Sequence, residues 1–334
     1  MLFFPFTLVS QVGGKSAFSF VNIENSPRIE AIGGSAIAIF DNDVSLSQST
    51  PSLLNRSMHK ELVFCFGDYF ADINLFAFSY AQEYKEVGVI SVSVKTINYG
   101  DFHRNDEMGN ENGNFTAQDQ VLTLGIGKEL SKSISLGINI SFLSSQYEVY
   151  KSFAIASNLS GTYFNKDNQF TSTFLIKNLG RQLNYYASEK ERLPFELQFA
   201  ISKELVHLPF RYHLTYHNLQ NFNIKSPYKL TSQTNLETGK LEIKEETMAK
   251  TALRHIVIGG ELNPFRKSFY LRGGFNFQRR FDLSLVTKPA MVGFSWGVGF
   301  KVTKFRFDYS RSSYHLSGSP NNFSIAGNLS TFGL

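Results

Sequence analysis

Residues 134–142 read Ile134-Ser135-Leu136-Gly137-Ile138-Asn139-Ile140-Ser141-Phe142, a strict alternation of large apolar residues with small or polar ones. Successive side chains on an extended strand point to opposite faces, so Ile134, Leu136, Ile138, Ile140 and Phe142 share one face and Ser135, Gly137, Asn139 and Ser141 the other. The same two-residue period recurs along the chain. Ile90, Val92 and Val94 oppose Ser91, Ser93 and Lys95; Phe170, Phe174 and Ile176 oppose Thr171, Thr173 and Lys177; Phe269, Leu271, Phe275 and Phe277 oppose Arg272, Gly274, Asn276 and Gln278. From about residue 60 onward the chain is a series of such strands bounded by Gly, Asn, Asp, Lys or Pro.

The connections alternate in length. Short ones fall near Lys85–Gly88, Ser131–Ser133, Lys166–Asn168, Val206–Pro209, Pro264–Ser268 and Thr303–Lys304, and long polar ones at 103–116, 181–194, 221–254, 280–289 and 315–320. Hairpins with tight turns at one end and long loops at the other are the arrangement of bacterial outer-membrane barrels. The fold expected is all-β: a transmembrane antiparallel β-barrel of about 14 strands over 60–334, with lipid as its first partner. A soluble sandwich would also bury one face of each strand. Its other face would carry Lys and Glu, whereas here it carries Ser, Asn, Gln, Gly and Thr, as a lumen would. Aromatics near strand ends, Tyr69, Phe70, Tyr84, Tyr99, Phe102, Tyr147, Tyr163 and Phe164, are placed to form interfacial girdles. On this pattern, Ile138→Arg is expensive and Asn139→Arg cheap.

Composition agrees with strands more than helices. Aromatics make up 15% of the 334 residues and charged residues only 18%, against about 25% charged in soluble domains. No apolar run reaches the roughly 18 residues that a helical span needs. The net charge is +5, but the basic residues form no block, so nucleic acid is not an expected partner.

Met1–Ser10 is apolar over the length of a signal-peptide core and reads as a partial signal peptide, implying export. Residues 11–59 lack alternation: Pro27-Arg28-Ile29-Glu30-Ala31-Ile32-Gly33-Gly34, then Asp41-Asn42-Asp43, then Thr50-Pro51-Ser52. This stretch is expected to plug or cap the lumen. Helix character appears only at 236–250, inside the longest loop.

No catalytic, cofactor or metal site is expected. Ser57-x-x-Lys60 and Ser226-x-x-Lys229 match a nucleophile pattern, but about two such pairs arise by chance, and no companion motif accompanies them. His213 and His217 sit on one strand face roughly 13 Å apart, too far to share a metal. Gly125-Ile126-Gly127-Lys128 lacks phosphate-loop spacing, and Cys65 reads as a packed thiol. Asp101, His103, Asp106 and Glu107 share one loop and could activate water; the plainer reading is a polar turn, since 105–114 is rich in Asn, Gly and acids.

Several segments together resemble the PorQ family of outer-membrane components of the type IX secretion system, within the wider group of PorV and FadL-type fatty-acid transport barrels. They are Ala71-Asp72-Ile73-Asn74, Ile97-Asn98-Tyr99-Gly100-Asp101-Phe102 followed by Asp106-Glu107-Met108-Gly109-Asn110, Asn178-Leu179-Gly180-Arg181-Gln182, Leu193-Pro194-Phe195-Glu196-Leu197-Gln198, and Pro209-Phe210-Arg211 with Asn218-Leu219-Gln220. The resemblance implies a non-enzymatic membrane anchor that helps hold the surface protein PorZ beside PorU and PorV. The alternative is a FadL-like transporter of hydrophobic small molecules. Within the 221–254 loop, Leu236, Leu241, Ile243 and Met248 are the apolar residues expected to dock a partner.

Overall fold

In the computed structural model the alternating segments are strands. It describes residues 16–106, 108–186, 190–224, 232–234, 241–243, 247–265, 268–284, 291–314 and 318–333, with 232–234 and 241–243 described by backbone alone. In chain order the strands are β1 (Glu61–Asp68), β2 (Asn74–Tyr84), β3 (Gly88–Asn105), β4 (Glu111–Glu129), β5 (Ile134–Tyr147), β6 (Tyr150–Asn165), β7 (Phe170–Asn184), β8 (Glu196–Glu204), β9 (Phe210–Tyr216), β10 (Ser232–Thr234), β11 (Leu241–Ile243), β12 (Ile256–Leu262), β13 (Phe269–Asn276), β14 (Phe294–Val302), β15 (Phe305–Ser312) and β16 (Asn321–Asn328). β10 and β11 pair only with each other, and the other fourteen form one closed antiparallel barrel. The closing seam joins β1 to β16, with Glu61 opposite Asn328 and Asp68 opposite Asn321. Closure leaves no edge strand along the wall, the condition for a sheet to survive in lipid.

The faces follow the alternation. Ile138 is 41% exposed and Asn139 1%, so the apolar row looks outward and the small polar row inward. Phe64, Phe76, Leu122, Ile140, Phe174, Phe199, Leu214, Trp296 and Phe323 continue the outward belt. This apolar belt is a surface suited to hydrocarbon. The tight turns lie where expected, Thr303–Lys304 joining β14 to β15 with Thr303 at φ 50°.

The long connections differ from expectation. Residues 103–116 are not a loop: β3 and β4 pair out to Asn105 and Glu111. Their Asn, Gly and acidic residues suggested a turn, but only the tip around Asp106 is one, and cross-strand pairing extends the ladder through the rest. Asp106 caps that tip, its carboxylate accepting from the Asn110 side chain at 3.0 Å and from the Met108 and Asn110 amides at 2.9 Å. These bonds, with the Asn110 side chain first, hold its pKa below the ordinary aspartate value. The helix expected at 236–250 is displaced to α2 (Met248–Leu253), behind the strand β11. Thr247 caps α2 and sets its start. Phe277 is not on a strand face but opens a helix, α3 (Phe277–Leu283), capped by Asn276.

Ahead of the wall, residues 16–60 form short 3-10 turns and one helical turn, α1 (Pro27–Ala31). Ser26 caps α1 and Pro27 takes its first position, a place where a missing N–H costs nothing. Ile29, Ile32, Ile39, Leu46 and Leu53 are buried together.

Candidate functional site

The inner face of the wall and the segment 16–60 are built for each other. An irregular chain carries backbone carbonyls with no ladder partner, and each needs a donor when buried. The wall supplies them. Asn139 Nδ2 donates to Gln48 O at 2.8 Å, Asn158 Nδ2 to Ser49 O at 3.0 Å, Thr215 Oγ1 to Ser35 O at 2.7 Å and Ser295 Oγ to Ala31 O at 3.1 Å. Lys95 Nζ reaches three carbonyls at once, Phe20, Val21 and Ile23, at 3.0–3.3 Å. Asn139, Asn158, Thr215, Ser295 and Lys95 of the inner face are therefore donors to this segment.

Two glycines show how closely it sits. A Cβ on Gly137 would lie 2.3–2.5 Å from the Pro51 and Ser52 backbone, and one on Gly274 would lie 2.2 Å from Ile32 C. No side chain fits at either place.

Charges lock the centre. The Arg28 guanidinium on α1 donates Nε and Nη2 to the two Glu261 oxygens at 2.8 and 2.9 Å, and meets Asp41 at 2.7 Å and Asp43 at 3.2 Å. Glu261 also accepts from Arg272 at 2.9 Å, and Arg272 reaches Asp308. Arg306 closes the ring, 2.9 Å from Asp43 and 3.1 Å from Asp308, while Arg211 approaches Asp41 at 3.5 Å. The four arginines thus meet these four carboxylates and, through Arg211, Glu204 at 2.7 Å, so that each buried charge has a partner of opposite sign. A second clamp joins α3 to α1, Arg279 donating both terminal nitrogens to Glu30 at 2.7 and 3.2 Å. Among the described residues, a cavity of about 40 Å³ lies between segment and wall, bordered by Val21, Ile23 and Leu143 as well as Glu24, Lys95 and Asn158. That is room for a few waters, well short of the roughly 300 Å³ of a small-molecule site. The large apolar concavity, about 820 Å³, lies on the outer wall at the seam among Phe64, Phe76, Phe78, Phe300, Phe307 and Phe323.

The arginine–carboxylate ring was missed from the sequence. Its signal was present as charges of both signs on inward positions of neighbouring strands, Glu261, Arg272, Arg306 and Asp308, facing a segment that carries Arg28, Asp41 and Asp43. The girdle reading fails in part for a related reason. Tyr99 and Tyr147 turn their hydroxyls to Asp119, at 2.6 and 2.9 Å, and Phe164 is buried against Phe40 with ring centroids 4.0 Å apart. Tyr84 and Tyr163 are exposed as expected of a girdle.

Of the weighed chemistry, His103 is exposed and its Nδ1 lies 3.1 Å from Asn114 Oδ1. Asp106 is committed to its own turn, and Glu107 lies outside the described residues. Replacing His103 by Ala is expected to leave folding and function unchanged; loss of function in a normally assembled barrel would revive a hydrolytic role. His213 Nε2 faces Glu261 at 3.6 Å while His217 Nδ1 faces Glu196 at 3.5 Å, so they share no ligand. Among the described residues no group of three His, Cys, Asp or Glu is placed to hold a metal. Ser226 and Lys229 lie outside the described residues, as does Leu236; Leu241 and Ile243 are described by backbone alone. Met248 opens α2 and is 78% exposed.

A closed fourteen-strand barrel with its N-terminal segment against the inner wall can be compared with solved structures. It superposes on the Pseudomonas putida toluene transporter TodX with a TM-score of 0.50 at 10% identity, covering 90% of this chain and 96% of that one. The fold is FadL-like. The CymD monoaromatic hydrocarbon channel (TM-score 0.50, 10% identity, 93% and 97% covered) and a Pseudomonas aeruginosa FadL homologue (0.50, 10%, 91% and 98%) match over the same extent. At such identities the likeness concerns the fold alone. No protein-family model and no curated protein matches the sequence.

Proposed function

We propose that this chain is a non-enzymatic barrel of the bacterial outer membrane, closed by its own N-terminal segment, that anchors a surface partner. The observations that support this reading are the arginine–carboxylate ring and the wall-to-carbonyl hydrogen bonds that hold the N-terminal segment against the inner wall, beside a cavity of about 40 Å³. A barrel closed in this way offers its neighbours the rim. The segments that resemble those of PorQ-type proteins support PorZ as the partner, in a complex with PorU and PorV.

The second reading is a channel for hydrophobic small molecules. The FadL-like fold supports it more than it supports the secretion anchor, since TodX and CymD are by name carriers of toluene and of monoaromatic hydrocarbons. The N-terminal segment against the inner wall, with a cavity of only about 40 Å³ beside it, weighs against it.

The readings separate in two measurements. Deleting the gene in its source bacterium should release PorZ into the medium, and unchanged surface retention would sink the anchor. Expressing the barrel in a host lacking FadL-type channels should leave uptake of labelled toluene at the empty-vector rate. An increase would establish the channel.

A further inference from the structure

β3 and β4 continue past their neighbours. β2 pairs with β3 no further than Asn74–Asn98, and β5 pairs with β4 no further than Tyr147–Ala117. Beyond those pairs the two strands ladder with each other and with no other described strand, through Asp101–Thr116, Phe102–Phe115, His103–Asn114 and Asn105–Glu111. At about 3.3 Å per residue, the ribbon stands roughly 20 Å above the wall. Its residues from Asp101 to Asn114 are exposed, apart from the undescribed Glu107.

The two edges are not equivalent. On the β4 side the β5–β6 turn stands close, Glu148 N donating to Thr116 O and the Glu148 carboxylate pairing with Arg104. On the β3 side Asp72 abuts Gly100, where a Cβ would meet it at 3.4 Å. From Asp101 to Asn105 no described strand pairs with the β3 edge.

We propose that this β3 edge, Asp101–Asn105, is a docking site for an extended, basic–apolar strand of a partner protein, added to the ribbon by backbone hydrogen bonds. This deepens the anchor reading and rests on it. An unpaired edge is a template for one more strand. What that strand must carry follows from the faces. Phe102 stacks on Phe115, ring centroids 5.1 Å apart and interplanar angle 15°, and stays 40% exposed. A partner residue beside it extends an apolar row. The opposite face presents Asp101, the His103 ring being engaged with Asn114 of β4, and the described ribbon carries Asp101, Asp106 and Glu111 against Arg104 alone, in a chain whose net charge is +5. Ribbons of two copies would set like charges together, so self-pairing is disfavoured while a Lys- or Arg-bearing strand is favoured.

The test uses the full chain in lipid nanodiscs and a fluorescein-labelled Lys-Val-Lys-Phe-Lys-Val peptide. Saturable binding is expected. Methylating alternate peptide nitrogens keeps the charge but removes edge hydrogen bonds, and should weaken binding about tenfold or more. Asp101→Lys should weaken it similarly, and so should a ribbon shortened by replacing 102–115 with Asn-Gly, which keeps every wall pair. No binding to the wild type, equal binding of the methylated peptide, or full binding by the shortened ribbon would each overturn the proposal. Its failure is distinct from failure of the anchor reading, because PorZ retention and toluene uptake are measured without the peptide.

Discussion

Replacing Arg28 by Ala is expected to destabilise the barrel by about 3–5 kcal/mol, because a buried ion network that loses one partner keeps the others as uncompensated charge. Arg28 touches Asp41, Asp43 and Glu261 through five hydrogen bonds, and it and Glu261 are buried. Arg211 and Arg272 remain beside Glu261, which keeps the loss from being larger. Arg28→Lys should recover part of it: an ammonium restores the charge but cannot span both Glu261 oxygens with a planar fork. Urea unfolding in micelles measures both. A cost for Arg28→Ala below about 1 kcal/mol, the scale of an exposed ion pair, would mean the ring is hydrated and the lumen open.

The second large effect is on the outer face. Ile138→Arg should cost about 2–4 kcal/mol if the belt lies in hydrocarbon. The structure changes what is expected of its neighbour. Asn139 was expected to be tolerant as a lumen residue, yet it donates to Gln48 O and accepts from Asn158 N at 2.9 Å. Asn139→Arg is therefore costly too, through lost hydrogen bonds and displacement of the N-terminal segment. The mechanisms separate by medium: transfer from bilayer to a loosely packed detergent micelle should relieve Ile138→Arg and leave Asn139→Arg unrelieved. Equal relief of both would contradict the assigned faces.

The wall was legible because its pattern is local. Alternation in 134–142 and the tight turns need only neighbouring residues to be read. The site was legible only as composition. Ser135, Asn139 and Ser141 announced a polar inner face, but nothing local says whether that face meets water or another part of the chain. Arg28 and Glu261 are 233 positions apart, and their pairing is created by closing the barrel. The ribbon was misread for the opposite reason: Asn110, Asn112, Gly113 and Asn114 are turn formers by propensity, and strand pairing across β3 and β4 overrides them.

The central claim is that the N-terminal segment seals the lumen from within, and a disulfide tests it most directly. Ser52 Oγ lies 2.7 Å from Thr162 Oγ1 on β6, so cysteines at both positions, with Cys65 changed to Ser, can meet at bonding distance. In intact outer membranes the Ser52→Cys, Thr162→Cys pair should oxidise to near completion, while Ser52→Cys with Ile138→Cys, on the lipid side, should not. Absence of the first disulfide in a folded barrel would place the segment outside the lumen and contradict the account.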